Sequence, residues 1–122
     1  MNRSIAVIDD DLSLRKGLSR LLRSAGFTVS IFESGEEFLG AADPASFDCL
    51  VIDVHLGGIT GFELLRRLDR TRGFGVVIIT AHHEAATREA LHAVGSPPCL
   101  SKPFDPEELL AAIFRALDQQ EV

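Results

Sequence analysis

Residues 49–53 read Cys-Leu-Val-Ile-Asp, an apolar run that stops at a carboxylate. Four consecutive apolar residues followed by a charge describe a strand buried on both faces whose end reaches water. The same form recurs outward along the chain. Residues 5–8 (IAVI) run into Asp9, residues 28–32 (TVSIF) are β-branched and aromatic, residues 76–79 (VVII) run into Thr80, and residues 99–101 (CLS) precede Lys102-Pro103. Between these runs lie longer amphipathic segments. Leu14, Leu18, Leu21 and Leu22 share a helical face over 12–25, which Gly26 stops. Ser34 and Glu37 have capping-box spacing for a helix to about Ala41, which Asp43-Pro44 breaks. Gly57-Gly58 marks a loop, 62–68 is helical, and Gly73 and Gly75 bracket a turn. A helix over 84–94 has Gly95 as its C-cap, and the last, over 106–119, starts from Asp105 with Glu107 and Glu108 in its first turn. Five strands alternating with five helices predict an α/β domain with a parallel sheet covered on both faces.

Composition bounds the rest. The 122 residues fit a single domain, 1–122, with 46% hydrophobic and 25% charged residues. The formal balance, 12 − 18 = −6, disfavours nucleic-acid binding by this domain, because phosphate backbones need clustered Lys and Arg. It suits metal ions or basic protein patches. Cys49 and Cys99 form neither a CxxC pair nor a zinc pattern, which fits a reducing cytoplasm. The N-terminus turns acidic too early for a signal peptide, and no apolar run approaches the roughly 20 residues of a membrane span.

The polar residues are informative by position. Asp9, Asp53, Thr80 and Lys102 each stand at or just past the C-terminal end of a different strand. In an open parallel sheet these ends share one edge, where ligands bind. A single Asp at a strand end is ordinarily a turn former or helix cap, and Asp11 is read mainly as the cap of 12–25. The joint pattern asks for more. Two carboxylates about 5 Å apart repel by roughly 3 kcal/mol at an effective dielectric near 20. Asp9, Asp10 and Asp53 therefore need compensation. Lys102 supplies one positive charge, and an all-oxygen site of this kind suits Mg²⁺.

The segments VIDDD at 7–11, LVIDVHLGGITG at 50–61, VIITA at 77–81 and LSKPF at 100–104 together resemble the receiver domains of two-component response regulators, over essentially the whole chain. The resemblance implies a flavodoxin-like doubly wound five-stranded parallel sheet of order 2-1-3-4-5. It implies that Asp53 accepts a phosphoryl group, that Asp9, Asp10, Asp53 and the main-chain carbonyl of His55 hold Mg²⁺, and that Thr80 and Lys102 contact the phosphoryl oxygens. It also implies a phosphohistidine donor on a histidine kinase or histidine phosphotransfer protein. The signalling face would comprise the fourth helix, fifth strand and fifth helix, about 84–94, 99–101 and 106–117, and would support a homodimer. Such a domain is not an enzyme proper; it assists its own phosphorylation and dephosphorylation in the cytoplasm.

The chain departs from the family pattern at three places. Gly57 stands where Pro is usual and Gly58 follows it, so a looser loop and weaker Mg²⁺ affinity are expected. Cys99 replaces the usual aromatic of strand five, and Pro97-Pro98 stiffens its approach, so signalling is expected to lean on Thr80 instead. Cys99 itself reads as a small buried filler. His55 and His82 sit two residues after Asp53 and Thr80, where the family tunes acyl-phosphate lifetime.

The expected role is a phosphorylation-dependent switch, as the receiver of a transcription regulator. A stand-alone adaptor or phosphorelay intermediate is the alternative. An aspartyl-phosphate phosphatase would need a second Asp where His55 stands. A dinucleotide enzyme would need a glycine-rich loop where DDDLS stands at 9–13.

Overall fold

A computed structural model describes residues 3–41, 43–68, 73–81 and 85–119. Its elements are β1 (Ser4–Ile8), α1 (Leu12–Ser24), β2 (Thr28–Phe32), α2 (Gly35–Ala41), β3 (Cys49–Asp53), α3 (Gly61–Arg67), β4 (Gly75–Thr80), α4 (Ala85–Ala93), β5 (Cys99–Ser101) and α5 (Pro106–Gln119). The strands form one parallel sheet in the order β2-β1-β3-β4-β5, the flavodoxin-like doubly wound arrangement. A short 3₁₀ turn, Pro44–Ser46, follows α2, with the Asp43 carboxylate accepting from the Ala45 N–H at 3.0 Å. It lies where Asp43-Pro44 is expected to break the helix.

Strand alternation divides the core into two layers. On one face Ile5, Val7, Val51, Val77 and Ile79 pack with Leu18, Leu22, Leu109 and Ile113 of α1 and α5. On the other, Ala6, Ile8, Leu50, Ile52, Val76 and Ile78 pack with Phe38, Leu64, Leu65 and Leu91 of α2, α3 and α4. With both faces covered, all five residues of β3 and all six of β4 are buried. This is why these strands read as continuous apolar runs rather than as alternating ones.

Local signals set the helix ends. The Asp11 carboxylate caps α1 through the Leu14 N–H at 3.2 Å, as its position before the leucine pattern implies. The Ser34 hydroxyl accepts from the Glu37 N–H at 3.0 Å, but the Glu37 carboxylate turns to the N–H of Glu33, at 3.4 Å, instead of that of Ser34. The reciprocal half of the capping box is thus displaced by one residue. Gly95 ends α4 with φ +93, and the Ser96 N–H reaches back to the Leu91 carbonyl at 2.8 Å. Gly75 is not part of a turn. It lies in β4, where a side chain would sit 2.8 Å from the Ala116 main-chain oxygen of α5. There glycine lets a helix approach the sheet closely.

Candidate functional site

The sheet register brings the acidic residues together. Ile8 pairs with Ile52, so Asp9 and Asp53 are the next residues along neighbouring strands. Both continue the pleat of Val7 and Val51, toward α1 and α5. Lys102, two residues beyond Leu100, arrives on the same pleat from β5. The period of two therefore delivers two carboxylates and an ammonium to one point at the carboxyl edge. Thr80 follows Ile79, the partner of Asp53, and so falls on the alternate pleat with Ile78, fully buried. Its main-chain oxygen accepts from the Lys102 N–H at 2.8 Å, tying the ends of β4 and β5 together.

The Lys102 Nζ lies 2.9 Å from Asp53 Oδ2 and 3.3 Å from Asp9 Oδ2. Oxygens of Asp9, Asp10 and Asp53 lie within 4.8 Å of one another, with Asp9 and Asp53 buried and Asp10 exposed. The remaining Oδ1 atoms are held by the same local device. Asp9 accepts from the Asp11 N–H at 2.8 Å and Asp53 from the His55 N–H at 2.9 Å, each an Asx-type turn onto the second residue along. Each carboxylate oxygen has about two lone-pair directions, so one protein bond per oxygen leaves capacity for a cation or an electrophile.

The electrostatics follow from burial and proximity. Burial pushes the Asp9 carboxyl above its ordinary 3.8; the Asp11 N–H opposes this, the Asp53 charge adds to it, and Lys102 opposes it. For Lys102, burial acts to lower the pKa. The hydrogen bond and charge of Asp53, followed by those of Asp9, outweigh that effect and hold the ammonium above its ordinary 10.5. The donor set is all oxygen, carries three carboxylates against one ammonium, and opens to solvent on the Asp10 side. That combination suits a hard divalent cation.

Two residues at the site are not evident from the strand-end pattern. Arg15 of α1 is buried, and its guanidinium donates to the Asp9 main-chain oxygen at 2.7 Å, bracing the acidic turn. An Arg among the leucines of an amphipathic helix, one turn past a run of Asp, is the trace it leaves in the sequence. The Glu36 carboxylate of α2 accepts from the Ile59 N–H at 3.2 Å, across 23 residues, and no local pattern announces that contact. Cys99 is half-buried against the α2–α4 side of the core, and burial raises its thiol pKa, consistent with a filler. His82 lies outside the described residues, as does residue 84, where the fourth helix was expected to begin.

A family model for the response regulator receiver domain matches residues 5–114, and the chain belongs to that family. It is 39% identical to the transcriptional regulatory protein FixJ of Bradyrhizobium diazoefficiens, over 96% of this chain and 58% of the relative. It is 37% identical to the DNA-binding transcriptional regulator NtrC of Klebsiella pneumoniae, over 96% of this chain and 25% of the relative. The chain thus spans little more than half of the first of these relatives and a quarter of the second. Among solved structures, the Vibrio cholerae chemotaxis protein CheY4 superposes with a TM-score of 0.87 at 30% identity, covering 96% of this chain and 100% of that one. The response regulator StyR superposes with a TM-score of 0.87 at 37% identity, covering 99% of this chain and 62% of that one. The chain is accordingly a receiver domain of the two-component signal-transduction type. Among the described residues no helix is long and apolar enough to cross a membrane.

Proposed function

We propose that this domain, spanning 1–122, is a phosphorylation-dependent switch in which Asp53 accepts a phosphoryl group from the phosphohistidine of a histidine kinase or histidine phosphotransfer protein. The observation that carries the reading is the Lys102 ammonium shared between the Asp9 and Asp53 carboxylates, beside the exposed Asp10. In this reading Asp9, Asp10, Asp53 and the main-chain carbonyl of His55 hold Mg²⁺. When bound, the cation neutralises charge on the transferring phosphoryl group.

The chain's own residues supply the rest. The Asp53 carboxylate, oriented by the His55 N–H, attacks phosphorus in line. The P–N bond to the donor imidazole breaks, and its electron pair returns to that nitrogen. Lys102, held protonated, shifts from the carboxylate oxygens toward a phosphoryl oxygen, and the Thr80 hydroxyl takes another. Recruiting Thr80 from the alternate pleat moves the end of β4. That end is tied to β5 through Lys102, so the change passes to a face formed by α4, β5 and α5, which also serves as a homodimer surface. The domain acts as a phosphoacceptor that assists its own phosphorylation and dephosphorylation, in the cytoplasm, without contacting nucleic acid or membrane itself.

FixJ and NtrC are transcription regulators much longer than this chain, which supports a receiver serving such a regulator. The second reading is a stand-alone adaptor or phosphorelay intermediate, since in CheY4, a chemotaxis protein, the matched receiver fold makes up the whole of the chain compared. The test is a small-molecule phosphodonor with Mg²⁺, followed by mass measurement. Wild type gains one phosphoryl group and Asp53→Ala gains none; an unmodified wild type, or a modified variant, sinks the reading.

A further inference from the structure

The loop between β3 and α3 carries the His55 carbonyl and has glycine at both 57 and 58, which makes it intrinsically loose. Its two ends are nevertheless fixed. The Val54 N–H donates to the Ile79 carbonyl at 2.9 Å, the Gly61 N–H to the Val54 carbonyl at 3.0 Å, and the Glu63 N–H to the Thr60 hydroxyl at 3.1 Å. The middle is held from outside, by the first turn of α2.

Three contacts converge there. The Ile59 N–H donates to Glu36 Oε2 at 3.2 Å. Gly58, at φ +79, backs so closely onto the same carboxylate that an added Cβ would collide with it. The Ile59 side chain lies over Gly35, where a Cβ would be 2.8 Å from both Cγ1 and Cδ1. The residues at 35, 36, 58 and 59 thus interlock, two of them by having no side chain. We propose that Glu36 is a positioning residue that latches the β3–α3 loop, so that α2 supplies by tertiary contact the order that two glycines remove. A charge-assisted bond of this kind is stronger than a neutral one and is broken by removing a single acceptor. The consequence for cation binding rests on the Mg²⁺ site proposed above; the latch itself does not.

The test uses the intact chain with Glu36→Ala, Glu36→Gln and Gly35→Ala. The glutamine keeps an oxygen acceptor and removes the charge. Amide exchange at Ile59 is read by NMR against core amides such as Val51, which report global unfolding, and Mg²⁺ affinity is read by titration. Glu36→Ala is expected to speed Ile59 exchange about tenfold with Val51 unchanged and to weaken Mg²⁺ binding about fivefold. Gly35→Ala is expected to do the same from the other side of the latch. Glu36→Gln is expected to fall between wild type and Glu36→Ala on both readouts, as a retained but neutral acceptor requires. Unchanged Ile59 exchange in Glu36→Ala overturns the latch. So does equal weakening of Mg²⁺ binding in the alanine and glutamine variants, which would assign the effect to charge. A wild type that binds no Mg²⁺ removes the cation site, while the exchange comparison still decides the latch.

Discussion

Lys102→Met separates the electrostatic argument from packing, because methionine keeps much of the aliphatic stem and removes the ammonium. In the wild type that ammonium lies 2.9 Å from Asp53 and 3.3 Å from Asp9. At an effective dielectric near 20, each contact is worth about 5 kcal/mol before desolvation, and two carboxylates under 5 Å apart repel by about 3.5 kcal/mol. Most of the attraction offsets the cost of burying the ions. The expected loss on removing one partner is therefore about 3 kcal/mol at pH 7 without metal. The loss should shrink in two ways. The Asp9 pKa is already raised by burial and by Asp53, and rises further when Lys102 is gone. A raised carboxyl favours folding while protonated and loses that contribution as pH climbs through its folded pKa. The variant should therefore recover toward wild type as the solution is acidified through that raised pKa toward the ordinary 3.8. Mg²⁺ should restore part of the loss at pH 7, since it replaces the missing positive charge. Urea unfolding at constant m-value, at pH 7, at acidities stepped down toward the ordinary carboxyl value of 3.8, and at pH 7 with Mg²⁺, measures all three. A loss below about 0.5 kcal/mol, within the usual range of surface substitutions, or one indifferent to both pH and Mg²⁺, would refute the coupled-charge account.

Three further outcomes are expected. In the wild type, Mg²⁺ at ten times its Kd should stabilise by about 1.4 kcal/mol in thermal melts. The gain should be smaller as the solution is acidified toward the ordinary carboxyl value of 3.8, because the raised Asp9 carboxyl takes up its proton before an ordinary one does; a gain indifferent to acidification would place the cation elsewhere. Gly61→Ala drives a Cβ into the Asp53 main-chain oxygen, with Ile52 Cγ2 and Val54 Cα at 3.0 Å. It should cost about 2 kcal/mol of stability and slow phosphorylation at least tenfold, and a variant phosphorylated at the wild-type rate would count against this packing. Burial raises the Cys49 thiol to about 12, so iodoacetamide at neutral pH should modify it only when the chain unfolds. Rapid labelling of native Cys49, followed by peptide mapping, would contradict that burial.

How much of this was legible beforehand varies with the kind of contact. β2, β5 and α5 carry the limits expected from the sequence, and the other described elements lie within two residues of theirs. Short apolar runs, leucine spacing and caps such as Asp11 and Ser34 are local signals, and they set local structure. Gly75 misled because two glycines one residue apart read as a turn, whereas its role is to admit Ala116 of α5. Glu37 misled by one residue because capping-box spacing does not say which N–H its carboxylate will choose. The loop after Asp53 read as loose because the two glycines are local, while the Glu36 contact that holds Ile59 comes from another helix.

The sequence by itself determined the alternation of strands and helices, and that Asp9, Asp53, Thr80 and Lys102 terminate strands. Parallel strands end on one edge, so convergence followed from chain direction. Only the tertiary structure decided the arrangement along that edge. Register set Asp9 beside Asp53, pleat parity put Lys102 with them and Thr80 on the other side, and close packing brought Arg15 and Glu36 to the two turns. Those outcomes depend on which residues face each other across neighbouring elements, and that information is distributed over the whole chain rather than carried by any segment of it.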